Sequence, residues 1–283
     1  MPVHAFLPPD ELRETVLLLA IVDAPGHRQH LLRPSALYIA LDGEGVRVDG
    51  QLRREPVLAC HFPRPAPLFQ LKGRALFVDL AIGAYSRLLG IDPATLGPGV
   101  TALERPDLIA LAERCAAAGD PVAALEMAEA YLMQRARSLP GDGLAEQARA
   151  LLYGRRERLP IPILATMLGT TPRTIQRQFK ARYGITPSRY QRSARALRSL
   201  LSPRVEWASV PPNCHYADQS HWLRDLRELF GLKPSALERD ETDWLFYPPG
   251  SRDPASAMLN GYPQAWLDAF AAVAPRPVTP PAG

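Results

Sequence analysis

Two short stretches of this chain carry cations in a pattern suited to a polyanion. In TPRTIQRQFKARYG (171–184), Arg173, Arg177 and Lys180 recur at helical spacing. At ~100° per residue they share one helix face, with Thr174 beside them, Gln176 on the flank, and Ile175 and Phe179 opposite. In DQSHWLRDLRELFG (218–231), Arg224 lies opposite Trp222, Leu226 and Leu229 and is flanked by Ser220 and His221. Guanidinium and ammonium groups meet phosphate oxygens or the O6/N7 edge of guanine, and a glutamine amide can pair with adenine. Glu228, four residues after Arg224, is spaced to pair with it, so the second cationic face is the weaker one.

Charge is concentrated where these stretches lie. Residues 155–239 hold 16 Lys/Arg against 6 Asp/Glu, whereas residues 1–154 hold 15 against 18 and residues 240–283 hold 2 against 5. A basic segment between two mildly acidic ones points to a polyanion partner for that segment alone. A solvated arginine-rich surface would have the same composition, so charge by itself does not decide.

Other reactive side chains are scattered. Cys60, Cys115 and Cys214 have no CxxC spacing, which indicates neither a disulfide framework nor a zinc site and fits a reducing cytoplasm. Cys60 and His61 are adjacent, but neighbours on a strand point to opposite faces, so they do not build a nucleophile and its base. Cys115 reads as a small core filler. His27 and His30 sit in a Gly/Pro context without a third ligand. No metal, no cofactor and no enzymatic activity are expected. The apolar run VLLLAIV (16–22) is too short to span a bilayer, lacks a basic flank and a cleavage site, and predicts neither a targeting segment nor a membrane partner.

The elements that must position the cations follow from local signals. IPILATMLG (161–169) predicts a helix with Ile163, Leu164, Met167 and Leu168 on its apolar face, Ala165 where another helix can cross closely, and Gly169 as its stop. Thr171 is a hydroxyl cap and Pro172 a first helical residue, so the cation-bearing helix starts near 172. TPSRYQRSARALRSLLSP (186–203) predicts a strut of about 15 residues, roughly 22 Å long. It is capped by Thr186, stopped by Ser202 and Pro203, and striped by Tyr190, Ala194, Leu197 and Leu201. Arg192 and Arg195 on it are phosphate candidates. Asp218 caps the last helix.

Upstream, ALYIAL (36–41) and VRV (46–48) around DGEG predict a hairpin, and LFQL (68–71) and ALFVDL (75–80) around KGR predict another. Helices are predicted over 82–90, 106–119, 121–139 and 144–154, with a break at PGDG (140–143). A further short helix is predicted over 262–273, and the Pro-rich end reads as disordered. The division is 1–139, 144–239 and 240–283, the last segment packing through Trp244, Phe246 and Trp266.

FKARYGITPSRY (179–190) and LRELFGLKPSAL (226–237) repeat one helix ending. Gly184 and Gly231 lie 47 residues apart, as do Pro187 and Pro234. With LATMLGTTPRTIQRQFKARYGITPSRY before and YADQSHWLRDLRELFGLKPSAL after, residues 160–237 resemble the AraC/XylS family of bacterial transcription regulators. The first 140 residues are more faintly similar to the sensor domain of one branch, chiefly at VDLAIGAYSRLLGID. The resemblance implies an α+β chain: a strand-rich sensor domain, then an all-α domain of two helix-turn-helix units joined by a linker helix. It implies double-stranded DNA as partner, read in successive major grooves ~34 Å apart. RNA polymerase, a small-molecule effector and a second copy of the chain are the further partners it admits. Base-reading positions would fall on Arg173, Gln176 and Arg177 in the first unit. In the second they would fall on Arg224, with Ser220 and His221 beside it. Phosphate contacts would fall to Thr174, Lys180, Arg192 and Arg195.

One run departs from the family. VPPNCHY (210–216) places Pro211 and Pro212 inside the expected first helix of the second unit, and His215 replaces its turn glycine. An interior proline costs ~3 kcal/mol or more, so an intact helix through 207–214 is not expected. Either the helix begins only at Pro211, with Trp207 and Val210 packing from a loop, or the unit is partly degenerate. The intact reading helix favours the first outcome. A degenerate unit would suit a protein-interaction module on the same fold.

Overall fold

The computed structural model describes residues 3–6, 8–12, 15–29, 35–42, 45–48, 50–60, 69–96, 99–137, 143–153, 158–201, 216, 218–230, 258–259 and 262–263. Eight strands come first: β1 (Val3–Phe6), β2 (Val16–Gln29), β3 (Ala36–Ala40), β4 (Val46–Val48), β5 (Gln51–Arg53), β6 (Val57–Cys60), β7 (Phe69–Leu80) and β8 (Gly99–Ala102). They form one antiparallel sheet in the order β1-β2-β7-β3-β6-β8, with β4 pairing both β5 and β7. Helices follow or interrupt: α1 (Ala84–Leu88), α2 (Pro106–Ala117), α3 (Pro121–Arg137), α4 (Leu144–Tyr153), α5 (Ile161–Met167), α6 (Pro172–Tyr183), α7 (Pro187–Leu201) and α8 (Gln219–Phe230).

Neither predicted hairpin forms as expected. β3 and β4 both pair with β7, at separate registers (Tyr38 opposite Phe77, Arg47 opposite Gln70), so DGEG joins two strands that share a partner. The hairpin at this end is β4 with β5, turning at Gly50. The KGR sequence does not turn; β7 runs through it as a single strand. Gly73 takes φ +80° there, and a Cβ would lie 2.2 Å from an Asp42 carboxylate oxygen, so glycine lets the strand twist past Asp42. Asp42 in turn accepts a 2.6 Å hydrogen bond from the Arg74 amide. Turn-forming residues mark bulges as well as reversals, and only the partner strand distinguishes the two.

Ala75, Leu76, Phe77, Val78, Asp79 and Leu80 are all buried, so both faces of β7 are covered there. The Tyr38 and Phe77 rings meet 5.1 Å apart in this interior. Asp79 shares it, and burial holds its carboxyl well above the usual range. The α2–α3 pair packs alongside. α2 buries Leu108, Leu111 and Cys115, and α3 buries Ala124, Leu125, Ala128, Tyr131 and Leu132, one stripe from each helix. Asp107 accepts from Arg105 at 2.7 Å and from the Tyr131 hydroxyl at 2.7 Å. The Arg105 hydrogen bond leads in lowering its pKa to about 2.

Two cysteines are placed. Cys60 and Cys115 are buried, and burial pushes each thiol up to about 11, away from the thiolate a nucleophile needs. Among the described residues no three potential ligands cluster as a metal site, and no helix is long and apolar enough to cross a membrane. Two-residue strands β9 (Met258–Leu259) and β10 (Tyr262–Pro263) pair antiparallel, so the helix expected from 262 does not begin there. His30, His61, Cys214, the VPPNC and His215 run, Gly231, Pro234, and Trp244, Phe246 and Trp266 lie outside the described residues.

Candidate nucleic-acid interface

The first helix-turn-helix is built by two short-range devices. α5 ends where Gly169 takes φ +61°, and the chain folds back with the Thr170 amide bonded to the Ala165 carbonyl at 2.9 Å. Thr171 then caps α6. Its hydroxyl accepts from the Thr174 amide at 3.2 Å, and Pro172 occupies the first turn, as expected. Gly184 closes α6 at φ +71°.

α5 buries a different face from the one periodicity suggested. Ile161, Leu164 and Ala165 are buried, whereas Ile163 and Met167 are 51% and 47% exposed. Both sets fit a helical repeat, about 100° apart. The buried set includes Ala165, whose small side chain lets α6 approach.

On α6, Ile175, Phe179 and Tyr183 are buried at 1%, 0% and 0% exposure. Arg173, Gln176, Arg177 and Lys180 are exposed on the other side, and Thr174 is half-buried within the cap. One helix thus presents three cations and an amide to solvent from an anchored apolar face. Phe179 packs 4.6 Å from Tyr183 and 5.5 Å, edge-on, from Tyr190 of α7. α4 packs on both α6 and α7.

α7 spans Pro187–Leu201, as expected, with Thr186 capping through the Arg189 amide at 3.2 Å. Tyr190 and Ala194 are buried in the cluster of the first unit, while Ala196 joins the larger cluster that also holds Trp222, Leu226 and Leu229. α8 starts after Asp218, whose carboxylate accepts from the His221 amide at 2.7 Å. Trp222, Leu226 and Leu229 face inward and Ser220 and Arg224 are exposed, as the wheel predicted.

Three of the residues expected at DNA have partners within the chain. Arg192 and Arg195, expected at phosphates, pair with carboxylates. Arg192 donates through Nε (3.0 Å) and Nη2 (2.6 Å) to Asp225 Oδ1 and through Nη2 to Glu228 Oε2 (2.7 Å). Arg195 donates to Asp225 Oδ2 at 3.0 Å and stacks 4.3 Å over the Tyr216 ring. Asp225 itself is fully buried. Burial alone would raise its pKa, but the hydrogen bonds from Arg192 and Arg195 outweigh it and lower the value. Glu228, spaced in the sequence to pair with Arg224, thus reaches the strut. His221 turns toward α7, its ring edge-on to Tyr216 at 5.3 Å and its Nε2 3.4 Å from Arg195, while Arg224 and Arg227 are exposed cations of α8. Sequence reasoning missed Asp225. Its pairings with α7 span 30 and 33 residues, and no local periodicity reports them.

The sheet region touches the end of α6. Ser86 Oγ donates to the Arg182 carbonyl, and the Tyr85 hydroxyl lies 3.5 Å from the Tyr183 carbonyl. Gly83 takes φ +76°, and a Cβ there would come within 2.7 Å of the Tyr183 ring. Glu146 of α4 ties these parts together, with Arg87 at 3.3 Å, Arg149 at 3.2 Å and Arg182 at 3.4 Å. Burial raises its pKa, but Tyr183 and the arginines bring it below the ordinary value.

Residues 164–240 match a family model described as a helix-turn-helix domain. No curated protein matches. Among solved structures, ToxT from Vibrio cholerae O395 is 12% identical with a TM-score of 0.39, covering 83% of this chain and 95% of that one. An apo variant of ToxT from Vibrio cholerae strain SCE256 is 10% identical with a TM-score of 0.41, covering 78% and 96%. Likeness at that level carries no weight for function.

Proposed function

We propose, on the premise that this chain carries an AraC-type helix-turn-helix domain over 164–240 and is a DNA-binding transcription regulator of that type, that it reads two successive major-groove segments. In this reading α6 enters the first groove, with Arg173, Gln176 and Arg177 at base edges and Thr174 and Lys180 at phosphates. α8 enters the second, with Arg224 at a base edge and Ser220 beside it. Residues 1–139 are the sensor and dimerisation part, open to a small-molecule effector or a second copy, and 144–239 the DNA-reading part. RNA polymerase is the remaining proposed partner.

The observation that carries this reading is the polarity of α6. Its cations are exposed as a group on the face opposite Ile175, Phe179 and Tyr183, on a helix capped at both ends. Replacing Arg177 by Ala costs ~1–3 kcal/mol on the cognate duplex and relaxes one base position. Replacing Arg224 costs the same or less, at a position one helical turn away. Electrophoretic mobility shift on single-base variants of a selected site measures both. Unchanged affinity and unchanged base preference would remove either residue from the reading surface.

The exposed pair Ile163 and Met167 favours a second reading, a protein-binding module on this fold. Salt separates the two. DNA affinity falls steeply with salt because phosphate contacts release counterions, whereas an apolar contact does not weaken that way.

A further inference from the structure

We infer that Asp225 is the positioning residue of the second reading helix: its carboxylate sets the rotation and height of α8 on the strut, and so the spacing at which the second DNA segment is read. This rests on the reading of α8 as a groove-binding helix.

Four observations lead there. Asp225 is fully buried, yet it is charged and held by two arginines of a single neighbouring helix. Arg192 takes one carboxylate oxygen and Arg195 the other. These arginines are three residues apart on α7, ~4.5 Å along its axis, so the carboxylate is gripped at two heights. A grip of that kind resists both sliding and rolling, because hydrogen bonds to a charged group weaken steeply off-axis. Arg224 is the neighbour of Asp225 in sequence and lies ~100° around the helix. Fixing Asp225 toward the strut therefore fixes where Arg224 points. Glu228 on Arg192 and Tyr216 under Arg195 hold the two arginines in place from either side.

The clamp is poorly explained as a device for stability alone. Burying a carboxylate carries a large desolvation cost, and a buried pair often contributes no more than an apolar contact of the same shape. What charge adds over an apolar contact is direction. Asp225 touches no DNA in this account; it acts through Arg224.

The test uses the full-length protein and a duplex that it selects from a randomised library. Affinity and protection are measured on that site, on copies with the second segment moved by one base pair either way, and on a copy keeping only the first segment. The variants are Asp225→Asn, which keeps the shape, and Asp225→Leu, which fills the same space with no acceptor for either arginine. Each is expected to lose protection of the second segment and the preference for the natural spacing. Its affinity on the full site should fall at least tenfold, to the level of the first segment alone. Affinity for the single-segment copy should stay within twofold of the wild type. Retained spacing preference in both variants overturns the inference. So does an equal loss on the single-segment copy, which marks a merely structural role. A wild type that protects one segment only removes the two-segment reading itself, and the positioning role with it.

Discussion

In the first unit, Phe179 sits between Tyr183 and Tyr190, and α6 meets the strut through rings. In the second, Asp225 meets the same strut through two guanidinium groups. α6 and α8 each start from an oxygen-bearing cap, Thr171 in one and Asp218 in the other, and each buries an aromatic residue, Phe179 in one and Trp222 in the other. The local grammar is shared and the fastening is not. Apolar contact is strong but non-directional, and it anchors a helix without fixing its turn. A buried carboxylate between two arginines adds little net energy and much geometry. The surroundings also differ. α6 carries Arg173, Arg177 and Lys180 without an acidic residue in its length, whereas α8 has Asp225 and Glu228 among its arginines. The first unit thus leaves its helix net positive, and the second sets carboxylates of its helix against arginines of the strut.

The comparison breaks most sharply at Phe179. Truncation to Ala should cost ~3–5 kcal/mol of unfolding free energy, since it opens a cavity between two tyrosines. Chemical denaturation reads this. A cost below ~1 kcal/mol would mean that rings are not what holds α6.

Acid comes next. Asp225 has a folded pKa below its unfolded value, so its contribution is present above the unfolded value near ~4 and is lost as pH falls through the folded one. Glu146 has the same sign, at the seam between α1, α4 and α6. Thermal melts from pH 6 downward should therefore fall below about pH 4, and Asp225→Asn should flatten part of that fall. An Asp225→Asn curve parallel to the wild type would show that the clamp holds no proton-linked energy.

The smallest effect sharpens the likeness instead. Thr171→Ala and Asp218→Ala should each cost ~1 kcal/mol, because each removes one cap acceptor. Unequal costs would indicate that one helix end is held by more than its cap.

What the sequence made legible was local. The caps at Thr171, Thr186 and Asp218, the stop at Gly184 and the inward residues Trp222, Leu226 and Leu229 all depend on neighbours within one or two turns. What it hid depended on distant partners. Arg192 and Arg195 read as free cations because nothing near them in the chain is acidic; Asp225 arrives thirty residues later. Ile163 and Met167 read as core because two overlapping helical stripes exist on α5, and only the position of α6 chooses between them. The KGR and DGEG runs read as reversals because Gly, Asp and Lys serve bulges equally well.

The contact at Gly83 has a consequence for dissecting the chain. The break at 140–143 looks like a place to cut, but the Tyr183 ring lies against a turn that comes before it, and Ile82 shares the apolar cluster of α5 and α6. Releasing residues 144–240 alone would bare that ring and strip the Arg182 carbonyl of the Ser86 hydroxyl, with which it pairs across 96 residues. The last turn of α6 is completed by residues that precede the break. A fragment made there should be sticky and frayed at the end nearest the strut, however well its own sequence folds.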